Sequence, residues 1–132
     1  MKVTGTFEVM LSPLDAAAEG KGGVNLRSMA IRKTFSGDLE ASSQGQMLSA
    51  TTAEPGAAGY VALEQVSGSL CGHEGSFALQ HYGRMQGGSQ HLTLEVVPGS
   101  GAAALAGLTG SMAIRIDEEG QHFYDFEFEL PG

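Results

Sequence analysis

Apolar and polar residues alternate along most of the chain with a period of two, the pattern of β-strands that bury one face. In the last such run, Tyr124, Phe126 and Phe128 alternate with Asp125 and Glu127. Eight runs of this kind are present, and they cover residues 2–11, 29–39, 46–52, 60–70, 76–82, 91–97, 110–116 and 122–130. The pattern therefore predicts an all-β chain.

Short turn sequences rich in glycine and proline separate these runs, as at residues 54–56 and 98–101. Eight strands in 132 residues leave about 16 residues for each strand and its turn, which fits antiparallel up-and-down connections and excludes crossover helices. Closing such a sheet on itself removes its free edges. We therefore predict one domain over residues 1–132, a closed eight-stranded antiparallel up-and-down β-barrel with at most one or two helical turns, one of them at residues 14–19.

Charge and cysteine content restrict the partners. The chain has seven Lys and Arg residues and fifteen Asp and Glu residues, which give a net charge of −8. Nucleic acid and anionic membrane surfaces are therefore disfavoured as partners. The single Cys71 cannot form an internal disulfide, which favours a reducing, cytoplasmic location. No apolar stretch approaches the ~20 residues that span a bilayer.

Several short blocks carry a family resemblance. They are residues 5–7, 33–40, 63–68, 75–81, 97–101 and 105–110. In this combination the chain, from residue 5 to residue 130, resembles an uncharacterised bacterial domain-of-unknown-function family of small barrels related to allene oxide cyclase and dirigent proteins. The resemblance implies the barrel, of the allene oxide cyclase-like type, and implies no established activity.

Three ionisable residues share the inward parity of apolar neighbours. They are Lys33, Glu64 and His81. Burying a lone charge is costly, so such groups pair, shift their pKa or line a wet cavity. We therefore expect a Lys33–Glu64 ion pair close to His81, provided that no β-bulge reverses the parity.

Three functions fit this barrel, and the sequence favours binding over catalysis. In the first, an apolar or weakly acidic small molecule occupies a cavity whose wall also includes Phe7, and its expected ligand-binding residues are Lys33, Phe35, Tyr60, Glu64, Phe77, His81, Tyr124 and Phe126. In the second, Glu64 and His81 are the candidate catalytic acid and base of an isomerase or cyclase. In the third, the polar trio only fixes strand register in a structural or oligomeric barrel without a ligand.

Other sites are not expected. The four histidines are scattered, so no metal site is predicted. The run Gly99-x-Gly101-x-x-Ala104 follows a strand but lacks the helix that a dinucleotide site requires, so no cofactor is predicted.

Two features of the side chains concern packing and assembly. The methionines expected in the core or lining a cavity are Met10, Met29, Met47, Met85 and Met112. The sequence leaves open whether an outer face forms a homodimer or a homotrimer.

Overall fold

β-strands make up most of the computed structural model, which describes residues 1–15 and 18–131. The strands of this described part are β1 Lys2–Leu14, β2 Asn25–Gly37, β3 Leu39–Thr51, β4 Ala58–Leu70, β5 His73–Gln86, β6 Ser89–Val96, β7 Ala102–Ala103, β8 Thr109–Ile116 and β9 His122–Glu129. Within those residues, no helix is long and apolar enough to cross a membrane.

Eight of these strands form a closed antiparallel ring. From β1 to β6, each strand pairs with the next one along the chain. β6 then pairs with β8, β8 pairs with β9, and β9 returns to pair with β1. The short β7 lies outside the ring, paired with β5. The predicted eight-stranded up-and-down barrel is confirmed, with one additional strand outside it.

Five strands are longer than the rest and extend past the sequence-based bounds. β1, β2, β3 and β4 have 13 residues and β5 has 14, against eight in β6, β8 and β9. β3 begins at Leu39 instead of residue 46, because its inward residues Ala41, Ser43 and Gly45 are too small or polar to give an apolar alternation.

The predicted helical turn at residues 14–19 is wrong at its start, because Leu14 belongs to β1 and pairs with Ser28 of β2. Ala16 and Ala17, which that prediction includes, lie outside the described residues.

The inward side chains form a packed aromatic core in one half of the barrel. Phe77 and Phe126 stack with ring centroids 5.9 Å apart, and Phe35 meets Tyr124 edge-on at 5.8 Å. Leu105, in the turn after β7, is buried in the same cluster, so this turn covers one end of the barrel. The opposite end, where β3 ends and β4 begins, is called the mouth below.

The prediction that five methionines lie in the core or line a cavity is wrong at Met10, which is exposed because its parity is opposite to that of the inward Val9. Met85 lies at the rim near the end of β5 and is also exposed. Met112 is buried in the core as expected, whereas Met29 and Met47 are half-buried at the mouth.

Tyr124 ties the closing strand β9 to the β2–β3 turn. Its hydroxyl accepts a hydrogen bond from the Leu39 amide at 3.0 Å and lies within donating distance of the carbonyl oxygens of Ser36 and Leu39. Gly5 makes this possible, because a Cβ at that position would overlap the Tyr124 hydroxyl. The barrel is thus closed by a buried polar contact as well as by strand pairing.

Replacing Tyr124 with Phe is expected to lower the free energy of unfolding by about 1–3 kcal/mol, because the buried Leu39 amide loses its acceptor. Urea denaturation measures this change. Thr34→Val, which removes a hydroxyl at an exposed position of β2, is the matched control and is expected to stay within about 0.5 kcal/mol of the wild type. Equal effects of the two substitutions would show that the hydroxyl contact is dispensable.

Candidate functional site

Lys33, Glu64 and His81 meet inside the barrel from three different strands. Lys33 lies on β2, Glu64 on β4 and His81 on β5, and their residues are 6%, 1% and 6% exposed. Strand pairing runs through all three positions without a break in the alternation. The inward parity predicted for them is therefore confirmed.

One oxygen of Glu64 binds both partners. Glu64 Oε2 lies 2.9 Å from Lys33 Nζ and 2.5 Å from His81 Nε2. Because an ionised carboxylate can only accept hydrogen bonds, His81 Nε2 carries the donated proton. The Lys33–Glu64 ion pair expected from the sequence is present, and His81 shares its acceptor.

The small inward residues of β3 allow the Lys33 side chain to reach from β2 to β4. Gly45 pairs with Glu64, and Ser43 pairs with Lys33 on the other side. A Cβ at position 45 would overlap the backbone of Leu63 and Glu64. The ion pair therefore depends on a glycine in the strand that it spans.

Aromatic rings surround the Lys33 ammonium group. Its Nζ lies 5.2 Å from the ring centroid of Phe7 and 5.9 Å from that of Phe35. Cation–π contacts contribute about 2 kcal/mol when they are desolvated. Lys33 is thus held by one carboxylate and two ring faces, which leaves it little freedom to act elsewhere.

The environment keeps Glu64 ionised. Burial alone raises the pKa of its carboxyl, but the hydrogen bond from His81 and the charge and hydrogen bond of Lys33 outweigh burial and hold the pKa at about 2, below the ordinary 4.5. Such a carboxylate carries no proton at neutral pH and is a weak base. The Glu64 carboxylate therefore acts as an acceptor of hydrogen bonds at neutral pH.

Tyr60 lies between the trio and the mouth. Its ring is half-buried, lies over Gly83, which has no side chain to displace it, and meets the His81 ring edge-on with centroids 6.2 Å apart. Burial, and then the charge of Glu64, raise the pKa of the Tyr60 hydroxyl. Tyr60 is the aromatic residue of the predicted set that borders both the polar trio and solvent.

Two buried side-chain oxygens near the trio have no hydrogen-bond partner among the described residues. They are Glu64 Oε1 and Ser43 Oγ. Ser43 and Glu64 are diagonal neighbours on the inner faces of β3 and β4, a relation that places their Cβ atoms within about 7–8 Å. Each unsatisfied group costs about 1–3 kcal/mol, so this pair marks a place where a polar ligand atom would be stabilised.

The other residues predicted to bind a ligand lie deeper. Phe35, Phe77, Tyr124 and Phe126 are fully buried in the aromatic core, and the Tyr124 hydroxyl is engaged by the β2–β3 turn. Their packing roles are clear, and a contact with a ligand stays a prediction. In the described part of the chain, no three His, Cys, Asp or Glu side chains are grouped to hold a metal ion.

Ser43 was missed by sequence reasoning. The third strand was predicted to begin at residue 46, so neither Ser43 nor Gly45 had an assigned face. The sequence feature that could have revealed Ser43 is the two-residue spacing of Leu39, Ala41 and Ser43, which continues the inward parity of Met47.

The Glu64 carboxylate is expected to make unfolding pH-dependent. The pKa of Glu64 is about 2 in the folded protein, against 4.5 ordinarily. The ionised carboxylate therefore stabilises the folded protein fully above about pH 4.5, and this stabilisation is lost as the pH falls through about 2. The shift is equivalent to about 3 kcal/mol. The stability difference between wild type and Glu64→Gln should therefore shrink by about that amount as the pH falls from about 5 to 2.

Chemical denaturation across this pH range measures the difference. Glu40→Gln, at an exposed position on β3, is the matched control. Parallel curves for wild type and Glu64→Gln would show that the buried carboxylate does not titrate with folding.

Comparison with known proteins places the chain in a family. Residues 3–128 match the family model described as protein of unknown function (DUF3224). The fold is similar to the crystal structure, at 1.84 Å, of a protein with unknown function from the DUF3224 family of Shewanella oneidensis MR-1. That protein is 60% identical, with a TM-score of 0.95 and coverage of 100% of this chain and 98% of the other.

No curated protein matches the chain. The predicted resemblance to an uncharacterised family is confirmed, whereas the relation to allene oxide cyclase and dirigent proteins stays a prediction. By the match over nearly its whole length, the chain belongs to the DUF3224 family of proteins of unknown function.

Proposed function

We propose that the protein binds a small, mainly apolar molecule that carries a hydroxyl group, through the mouth of the barrel. The observation that supports this most is Glu64 Oε1, a buried carboxylate oxygen without a partner among the described residues. Buried polar atoms are almost always hydrogen-bonded, and an exception calls for an explanation. A ligand donor at this oxygen supplies one.

The charge of the site selects the polar group of the ligand. Glu64 is ionised, so Oε1 only accepts, and a carboxylate ligand would meet its negative charge. A neutral hydroxyl or a weakly acidic phenol donates to Oε1 without that repulsion. The Ser43 hydroxyl, which both donates and accepts, can bind the oxygen of the same group.

The mouth suits an apolar body. Its inward side chains include Met29, Met47 and Tyr60, all half-buried. Thioethers are flexible and make favourable contacts with aromatic rings. An alkylphenol matches both the apolar mouth and the oxygen acceptor beneath it.

Within this site, the trio has divided roles. Lys33 positions Glu64 by holding Oε2, and His81 does the same from the neighbouring strand. Oε1 remains for the ligand. We place the binding in the cytoplasm, a location that suits the free, exposed thiol of Cys71.

Replacing Ser43 with Ala is expected to separate ligand affinity from stability. The hydroxyl makes no hydrogen bond to the described residues, so the free energy of unfolding should be unchanged or higher by up to about 1 kcal/mol. The affinity for 4-propylphenol, measured by isothermal titration calorimetry, should fall about fivefold to tenfold, as for the loss of one hydrogen bond.

Two matched controls accompany this measurement. Ser42→Ala, on the outer face of the same strand, should leave the affinity unchanged. Propylbenzene, which lacks the hydroxyl, should bind more weakly than 4-propylphenol. Absence of 4-propylphenol binding, or equal affinity for the two compounds, would contradict the proposal.

A further inference from the structure

Large apolar side chains are exposed on the outer face of β3, β4 and β5. Leu48, Val61, Leu63 and Tyr82 are 56%, 49%, 60% and 58% exposed. Their positions alternate with the inward residues of the same strands, so they point away from the barrel interior. The outward residues at 44–50 of β3, 59–65 of β4 and 78–82 of β5 are called the β4 face below.

Strand register makes these side chains neighbours. Leu48, Val61 and Tyr82 lie side by side across the three strands, and Leu63 lies in the next row between Gln46 and Gln80. Two grooves, of about 740 and 880 Å³, cross the face and share the first three residues. The apolar surface is therefore continuous and concave.

The outward residues of the β4 face are uncharged, although the protein has a net charge of −8. The charged side chains that border the face are Arg84, beside Gly59, and Glu95, which accepts a hydrogen bond from Gln80. The outer faces of β8, β9 and β1, by contrast, carry six, namely Lys2, Glu8, Arg115, Asp125, Glu127 and Glu129. The polar residues of the β4 face are glutamines, at 44, 46, 65 and 80. An amide both donates and accepts, so a glutamine can bind its counterpart in an identical surface.

We propose that a second copy of this chain packs on the β4 face, with a two-fold axis through its centre. Two copies that each carry −8 repel least where they meet through uncharged surface. The ring of strands is closed, which excludes the addition of a strand at a free edge as the mode of association. A two-fold contact places the same patch on both sides, as a self-complementary face requires.

The face is large enough to form the centre of this contact, and the strands beside it supply the remainder. Seven residues of β3 and of β4 span about 23 Å each, five of β5 span about 17 Å, and the three strands together are about 14 Å wide, which gives roughly 300 Å² in projection. Pleating and protruding side chains add to this area, and β2 and β6 supply a rim. Standard interfaces bury about 800 Å² on each partner, so β2 and β6 would contribute the larger share of the contact.

Multi-angle light scattering after size-exclusion chromatography tests the proposal with the full chain. We expect the wild type at twice 13.7 kDa and Leu63→Lys at 13.7 kDa, because the lysine would place two charges at the centre of the contact. Tyr82→Ser, a second variant without an added charge, should also dissociate. Thr4→Lys, at an exposed position of β1, is the matched control and should keep the wild-type mass.

The outcomes separate the possible occupants. A wild-type mass of 13.7 kDa at every concentration would overturn the proposal and leave the grooves to a small molecule or to another protein. A dimer that persists in both Leu63→Lys and Tyr82→Ser, with circular dichroism showing folded variants, would also overturn it. The proposal is supported if Leu63→Lys and Tyr82→Ser dissociate while the wild type and Thr4→Lys remain dimers.

Discussion

The half of the barrel next to the mouth depends on how a carboxylate is buried between three strands. Glu64 is almost completely inaccessible, and its charge is compensated at a single oxygen by Lys33 and His81. Removing one member of such a group leaves an unpaired buried charge, at a cost of about 3–5 kcal/mol. The network therefore fixes the relative positions of β2, β4 and β5, and at the same time leaves the second oxygen of Glu64 without a partner among the described residues.

The interior is divided by this network into two parts with different chemistry. Toward the covered end, aromatic rings pack against one another, and the Tyr124 hydroxyl fastens β9 to the β2–β3 turn. Toward the mouth, the inward side chains are small, polar or flexible, as Ser43, Gly45 and Met47 illustrate. Stability is concentrated in the first part, which allows unsatisfied polar atoms to persist in the second.

Sequence alternation was sufficient to predict the barrel and the inward position of Lys33, Glu64 and His81, because a period of two assigns every residue of an unbroken strand to a face. It did not reveal Ser43 or Gly45, whose small side chains give no apolar signal, although they lie beneath the ion pair. It also could not show that the described residues bind Glu64 through a single oxygen, since that depends on the reach of Lys33 across β3. Met10 was wrongly predicted to lie in the interior for the opposite reason. Its side chain is apolar, but its position in the alternation of β1 directs it outward.

The central claim is that Glu64 Oε1 is the acceptor for a ligand hydroxyl. A crystal structure of the protein grown with 4-propylphenol, at a resolution that shows ordered water, tests it most directly. The phenol oxygen is predicted within hydrogen-bond distance of Glu64 Oε1, with the propyl group toward Met29 and Met47. Phenol bound elsewhere, or an ordered water that stays on Oε1 in the presence of saturating phenol, would contradict the claim.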